Sequence, residues 1–254
     1  MSDQEQLFGM SIDRLTMQDA VSRLLDWVQT PGEGCRYVVT PNVDHTVLFQ
    51  QHAGLRAAYA DAGLVLADGM PVVWAARLLG HKLPQRVTGS DLVPNLFTAA
   101  EERQSLRVFL LGAAPGVAER AATKIAEHWP SVRVIDTYSP RLGFERDSAE
   151  NAEILARIAR ARPDVLVIGL GAPKQELWVH AHRLNIAAPV ALCVGATLDF
   201  LAGERLRAPA WMRKAGLEWI HRLAGEPRRL ARRYARDAWI FPRLVFRELF
   251  PARN

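Results

Sequence analysis

The sequence predicts an α/β protein, a mostly parallel, Rossmann-like sheet with helices on both faces, followed by a basic helical appendage. Three observations carry that expectation. Short runs rich in valine, leucine and isoleucine alternate with helix-length stretches about six times, as strands buried on both faces do. The apolar runs end in glycine, proline and short polar residues, the punctuation of strand-to-helix turns. After Asp199 the alternation stops, and an arginine-rich helical pattern runs to the end.

In order, Phe8 to Asp13 reads as a short entry segment. Thr16 is a helix cap for a stretch with Ala20, Val21, Leu24, Leu25 and Val28 at helical spacing. Arg36 to Thr40 is the first strand, and a helix is expected from about Asp44 to Asp61. Ala62 to Ala67 is the second strand, followed by helices over Val72–Leu79 and Leu92–Ala100. Arg107 to Leu111 and Val132 to Thr137 are strands flanking a helix from Val117 to His128, the spacing of a βαβ crossover. Glu150 to Arg160 is helical, Asp164 to Ile168 is a strand, and a helix starts at Lys174. Val190 to Val194 is the last strand. Helices are then expected over Met212–Leu223 and from Arg228 to about Ile240, with a break at Pro242. Residues 1–205 thus read as the α/β body and 206–254 as the appendage.

Charge follows the same division. Residues 205–254 hold thirteen Lys or Arg against four Asp or Glu, a net of +9, whereas the whole chain is +5, leaving about −4 for the rest. A basic tail suits an anionic bilayer, a phosphate-bearing ligand or nucleic acid. No zinc-finger spacing or reader motif supports nucleic acid, which is not an expected partner. No apolar run reaches the length of a membrane span, and the acidic N-terminal stretch does not read as a signal peptide. Cys35 and Cys193 lie in apolar surroundings with no CxxC, as buried thiols do.

In a parallel sheet the C-terminal strand ends converge on one edge. Thr40, Asn42, Asp44, His45, Asp68, Ser139, Arg141, Lys174, Gln175, Glu176, Thr197 and Asp199 fall there and describe a polar crevice. Asp68 directly follows an apolar run, where partial desolvation would raise its pKa toward that of a general base; it could equally cap the next helix. The stretch Gly169 to Gln175 reads as a ligand loop or as an ordinary strand-to-helix turn. Gly112-Ala113-Ala114-Pro115-Gly116 is not GxGxxG, which weighs against a nucleotide-dependent oxidoreductase or epimerase. A non-enzymatic anion- or nucleic-acid-binding module would explain the tail but not Asp68 and its polar neighbours. There is no Walker motif, GxSxG elbow, metal spacing or DxD pair, so no cofactor or metal is expected.

The motifs TPNVDH (40–45), ADGMPVV (67–73), RVTGSDL (86–92), FLLGAAPGVAERA (109–121), SPRLGF (139–144), GLGAPKQELW (169–178) and VGATLDF with the arginine-rich segment that follows it resemble the WecG/TagA/CpsF family of bacterial glycosyltransferases. The resemblance spans about 35–250, nearly the entire chain. It implies inverting, metal-independent transfer of a sugar from a UDP-sugar to a polyprenyl-diphosphate-linked saccharide in surface or exopolysaccharide synthesis. It further implies a peripheral location on the cytoplasmic side of the inner membrane and leaves open a homo-oligomer or membrane enzyme partners. By motif, Asp68 matches the base, with Thr40 and Asn42 in its pocket. Gly112, Ala113, Gly169, Gly171, Ala172, Pro173, Gln175 and Asp199 match the UDP-sugar site. Arg86, Asp91, Arg207, Arg213, Arg222 and Arg229 match the acceptor and diphosphate side. VGATLDF departs from the GGTFDF of many members at Ala196 and Leu198, a change that bears on donor fit.

Overall fold

The computed structural model describes residues 3–102 and 105–250. The chain opens with a hairpin, β1 (Gln4–Leu7) and β2 (Met10–Asp13), whose turn residues Phe8 and Gly9 both adopt positive φ, as tight hairpin turns require. The entry segment expected from sequence is therefore the second half of a hairpin. Next come α1 (Met17–Gln29), started by a Thr16–Asp19 capping box, and β3 (Arg36–Val39). The helix expected from Asp44 to Asp61 is two, α2 (Val43–Gln51) and α3 (Ala53–Ala60). His52 separates them: its backbone is extended and its ring accepts from the Leu55 N–H at 3.2 Å, capping α3.

After β4 (Leu64–Val65) the chain forms α4 (Met70–Leu78), α5 (Gly89–Glu101), β5 (Leu106–Gly112), α6 (Val117–His128) and β6 (Val132–Tyr138). It continues through α7 (Ser148–Ala161), β7 (Val165–Gly169), α8 (Lys174–His182), β8 (Val190–Cys193) and α9 (Thr197–Ala202). The main sheet has the order β4-β3-β8-β7-β5-β6, and every neighbouring pair is parallel. β3–β4 and β5–β6 step outward in opposite directions, and β7 and β8 fill the gap. The loops after the central strands therefore gather at one edge.

Successive residues of each strand serve opposite layers. Tyr37, Val39, Phe109, Leu111, Leu166 and Ile168 pack with Phe49, Leu55, Ile154, Ile158 and Val179, from α2, α3, α7 and α8. Val38, Val108, Leu110, Val165, Val167 and Leu192 pack with Leu24, Leu96, Phe97, Ile125 and Leu198, from α1, α5, α6 and α9. The result is a three-layer α/β fold with both sheet faces covered.

The C-terminal segment forms α10 (Ala210–Lys214), α11 (Glu218–Gly225) and α12 (Pro227–Leu249). The helix expected over Met212–Leu223 is split at Gly216, which takes positive φ where an added Cβ would strike Met70 and Trp74 of α4. The break expected at Pro242 does not occur. A proline removes one helical N–H bond, and here the helix is held on both sides of it: Leu230, Asp237 and Leu244, at seven-residue intervals, form a buried stripe. Asp44 of α2 is paired with Arg233 at 3.5 Å and with Arg236. The Phe8 N–H donates to Glu248 at 2.8 Å, and Phe8 meets Phe241 edge-on at 5.4 Å. The appendage is thus packed onto α2 and the hairpin.

Candidate active site

Four loops are stitched together at the sheet edge. Thr40, buried after β3, donates through Oγ1 to the Cys193 carbonyl at the end of β8, 3.3 Å away. The Ala113 N–H donates to the Gly169 carbonyl at 3.0 Å, joining the loops after β5 and β7. Gly112 stands where that approach leaves no room: its φ is +114°, and an added Cβ would lie 2.7 Å from the Gly169 carbonyl carbon and oxygen. Gln175, only 2 % exposed, accepts through Oε1 from the N–H groups of Gly171 at 3.3 Å and Gly195 at 3.1 Å. Its amide therefore ties the β7 and β8 loops. No side chain caps α6 or α8, which follows Ala172 and Pro173; backbone carbonyls satisfy part of each first turn, Ala114 accepting from the Val117 N–H and Gly171 from the Gln175 N–H, both at 3.0 Å.

The other half of the edge is charged. Asp68 follows β4 at the sheet's border and is partly buried; its N–H donates to the Pro41 carbonyl at 2.8 Å, which sets it against the Thr40–Asn42 loop. Burial and the Glu218 carboxylate push its pKa up to about 7, against the pull of Arg86, Arg222 and His45. Asp68 does not cap the next helix: the α4 cap position is Gly69, with no side-chain bond to the helix.

Asp91, in the first turn of α5, is a hub. It accepts from Thr88 Oγ1 at 2.8 Å, from Arg207 at 2.7 Å and from Arg213 at 3.3 Å, and Arg86 lies 3.5 Å away. Burial works to raise its pKa, but Arg207, Thr88 and Arg86 outweigh that and hold it below the usual carboxylate range. Arg86 also reaches Glu218 of α11 at 3.3 Å. The appendage thereby supplies both cations and an acid to the polar edge of the body's sheet. Among the described residues, Nε and Nη2 of Arg207 and Nε of Arg213 are buried with no hydrogen-bond partner. Unpartnered guanidinium donors in a buried setting suit an incoming anion.

Two sequence-derived candidates lie apart from this hub. Asp199, in the first turn of α9, sits 3.6 Å from Arg205, and Arg229 pairs with Glu226 in the first turn of α12. Sequence reading missed Glu218, which sits 132 positions from its partner Arg86 with no local signal of that pairing. Cys35 and Cys193 are free and buried, and burial pushes the Cys35 thiol up to about 12, far from a thiolate nucleophile. No group of three His, Cys, Asp or Glu that could hold a metal occurs among the described residues.

An open parallel sheet with polar loops, uncapped helix starts and paired carboxylate and arginine groups at one edge has the layout of enzymes that handle phosphate-bearing substrates. Sequence comparison specifies the class. Residues 5–254 match the model of the glycosyl transferase WecG/TagA/CpsF family, and the chain belongs to that family. It is 31% identical over 196 residues to the N-acetylglucosaminyldiphosphoundecaprenol N-acetyl-beta-D-mannosaminyltransferase of Bacillus spizizenii, covering 77% of this chain and 74% of that protein. It is 28% identical over 226 residues to the like-named protein of Staphylococcus aureus strain MW2, covering 89% and 86%.

Proposed function

We propose that the protein is an inverting, metal-independent glycosyltransferase that moves a sugar from a UDP-sugar to a polyprenyl-diphosphate-linked saccharide. The observation that carries this reading is a partly buried carboxylate, Asp68, whose pKa burial and Glu218 push up to about 7, on the same sheet edge as Asp91, around which Arg207 and Arg213 gather with unpartnered buried donors. Asp68 accepts the proton of the acceptor hydroxyl as its oxygen attacks the anomeric carbon from the face opposite UDP. The pair of electrons leaves with the diphosphate oxygen, whose charge is met by arginine and backbone N–H groups.

The loops around Gly112, Ala113, Gly169 and Gly171, with Ala172 and Pro173, cradle the UDP part. Gln175 shapes that cradle from within, and Asp199 borders it. Arg86, Arg207, Arg213 and Arg222 take the acceptor diphosphate, with Asp91 aligning them, and Arg229 extends the basic face. Among the described residues no helix is long and apolar enough to cross a membrane. Trp211, Trp219, Trp239, Phe246 and Phe250 are exposed on the basic appendage, however, and suit an anionic bilayer surface that presents the lipid-linked acceptor.

A donor panel of UDP-glucose, UDP-glucuronate, UDP-N-acetylmannosamine and its uronate tests the reading. The acceptor is a short-chain prenyl diphosphate carrying N-acetylglucosamine, chosen from the name of the relatives. Transfer with inversion, undiminished by EDTA, is expected for one of these donors. Failure of all four, or a product of retained configuration, would refute it.

A further inference from the structure

His45, near the start of α2, is 8% exposed, and Glu176, in the first turn of α8, is fully buried. The ring Nε2 lies 3.2 Å from Glu176 Oε1, and Nδ1 lies 3.0 Å from Asn42 Oδ1. The hydrogens of this chain of contacts follow from its two ends. Asn42 Oδ1 also accepts from the backbone N–H of His45 at 3.3 Å, so the amide oxygen faces the ring and Nδ1 must carry a hydrogen. At the far end, Gln175 Oε1 faces two backbone N–H groups, which turns its Nε2 toward Glu176 Oε1 at 2.8 Å. The contact between His45 Nε2 and Glu176 Oε1 therefore needs one proton, and the imidazole nitrogen is the more basic site. The pair is an imidazolium beside a carboxylate. Burial opposes that charge, while Glu176, Asp44 and Asp68 favour it, and the net effect raises the ring's pKa.

The consequence falls on Asn42. Its oxygen is bound from two sides, and none of the described residues takes a hydrogen bond from its Nδ2. The Asp68 N–H is bound to Pro41, the residue before it. We propose that His45 and Glu176 form a positioning pair for the transfer reaction. The pair fixes the Asn42 amide so that its Nδ2 hydrogens are offered to a substrate oxygen beside Asp68, and through Gln175 it keeps that amide in register with the two donor-side loops. Neither member of the pair touches substrate in this role, which rests on reading the crevice as a transferase site.

Two near-isosteric variants separate positioning from plain burial. His45→Asn keeps a donor where Nδ1 stands and releases Glu176; His45→Gln keeps a donor where Nε2 stands and releases Asn42. Both are assayed with UDP-N-acetylmannosamine and the short-chain prenyl-diphosphate acceptor. The ring nitrogens of the substrate-free wild type are read by 15N NMR at pH 7. The wild type should show both nitrogens protonated. His45→Gln, which frees Asn42 outright, should lose about 100-fold in kcat with donor KM little changed, as for loss of one positioned donor, and His45→Asn, which keeps the Asn42 contact but releases Glu176, should lose about 10-fold. A neutral ring, a His45→Asn variant with full activity, or a His45→Gln variant as active as His45→Asn, overturns the pair while leaving the transferase reading intact. A wild type inactive with every donor of the panel removes that reading and the pair's role with it. Should both variants unfold, the wild-type ring nitrogens alone decide.

Discussion

The two halves of the sheet edge are built on different principles. On the side proposed for the donor, the loops after β5, β7 and β8 are joined by backbone groups, by Gln175 and by glycines that admit close approach. On the side proposed for the acceptor, long side chains converge on carboxylates instead: Arg86, Arg207 and Arg213 gather around Asp91, and Arg86 also reaches Glu218 of α11. The first half gains rigidity, since backbone donors lose little entropy on binding. The second half gains charge and adaptability, because guanidinium groups held by one carboxylate can turn to a diphosphate. Donor recognition should therefore fail through backbone strain, and acceptor recognition through loss of individual charges.

The largest expected effect is at Asp68. Asp68→Asn should lower kcat by about 1,000-fold or more, as for loss of a general base, and leave UDP-sugar affinity within about twofold by calorimetry. The substitution should also stabilise the protein. Unfolded, the carboxyl titrates near 3.8, and folded near 7, so folding disfavours its ionised form. That penalty is absent below about pH 4, grows as pH rises and is complete above about pH 7, where it reaches on the order of 2–4 kcal/mol. Thermal melts of the variant and wild type should coincide in acid and diverge toward pH 8.

Gly112→Ala comes next and attacks the donor side. A Cβ 2.7 Å from the Gly169 carbonyl at φ +114° must push the two loops apart. A stability loss of about 2–4 kcal/mol is expected in denaturant melts, with donor KM raised more than acceptor KM. Arg213→Ala should do the reverse on a smaller scale. Acceptor KM should rise about 10-fold in steady-state assays while donor KM stays within about twofold, as for one charge-assisted contact. If the two substitutions affected both substrates equally, the division of the edge into two halves would be wrong.

The body's layers were legible because they are written locally. Alternating apolar runs and helical spacing revealed the sheet and its flanking helices, and the end of the alternation after Asp199 revealed the appendage. The hairpin was only half visible because β1, Gln4–Leu7, is polar except for Leu7 and lacks a strand's alternation. Pro242 misled because its local penalty is smaller than the packing of Leu230 and Leu244 on either side. At the site, Asp68 stood out through its place after an apolar run. The links from Arg86 to Glu218 and from His45 to Glu176 join residues more than 130 positions apart, and nothing in their local sequence marks the partner.

The central claim is that Asp68 is a base poised near neutrality, and the titration of its carboxyl carbon beside the pH dependence of kcat/KM tests it most directly. The rising limb of kcat/KM reports the free protein's essential base, so both curves should share a midpoint near pH 7. Glu218→Gln should move both midpoints down together, since Glu218 is part of what raises the Asp68 pKa. A carboxyl that titrates near 4, or a rate flat between pH 6 and 8, would contradict the account.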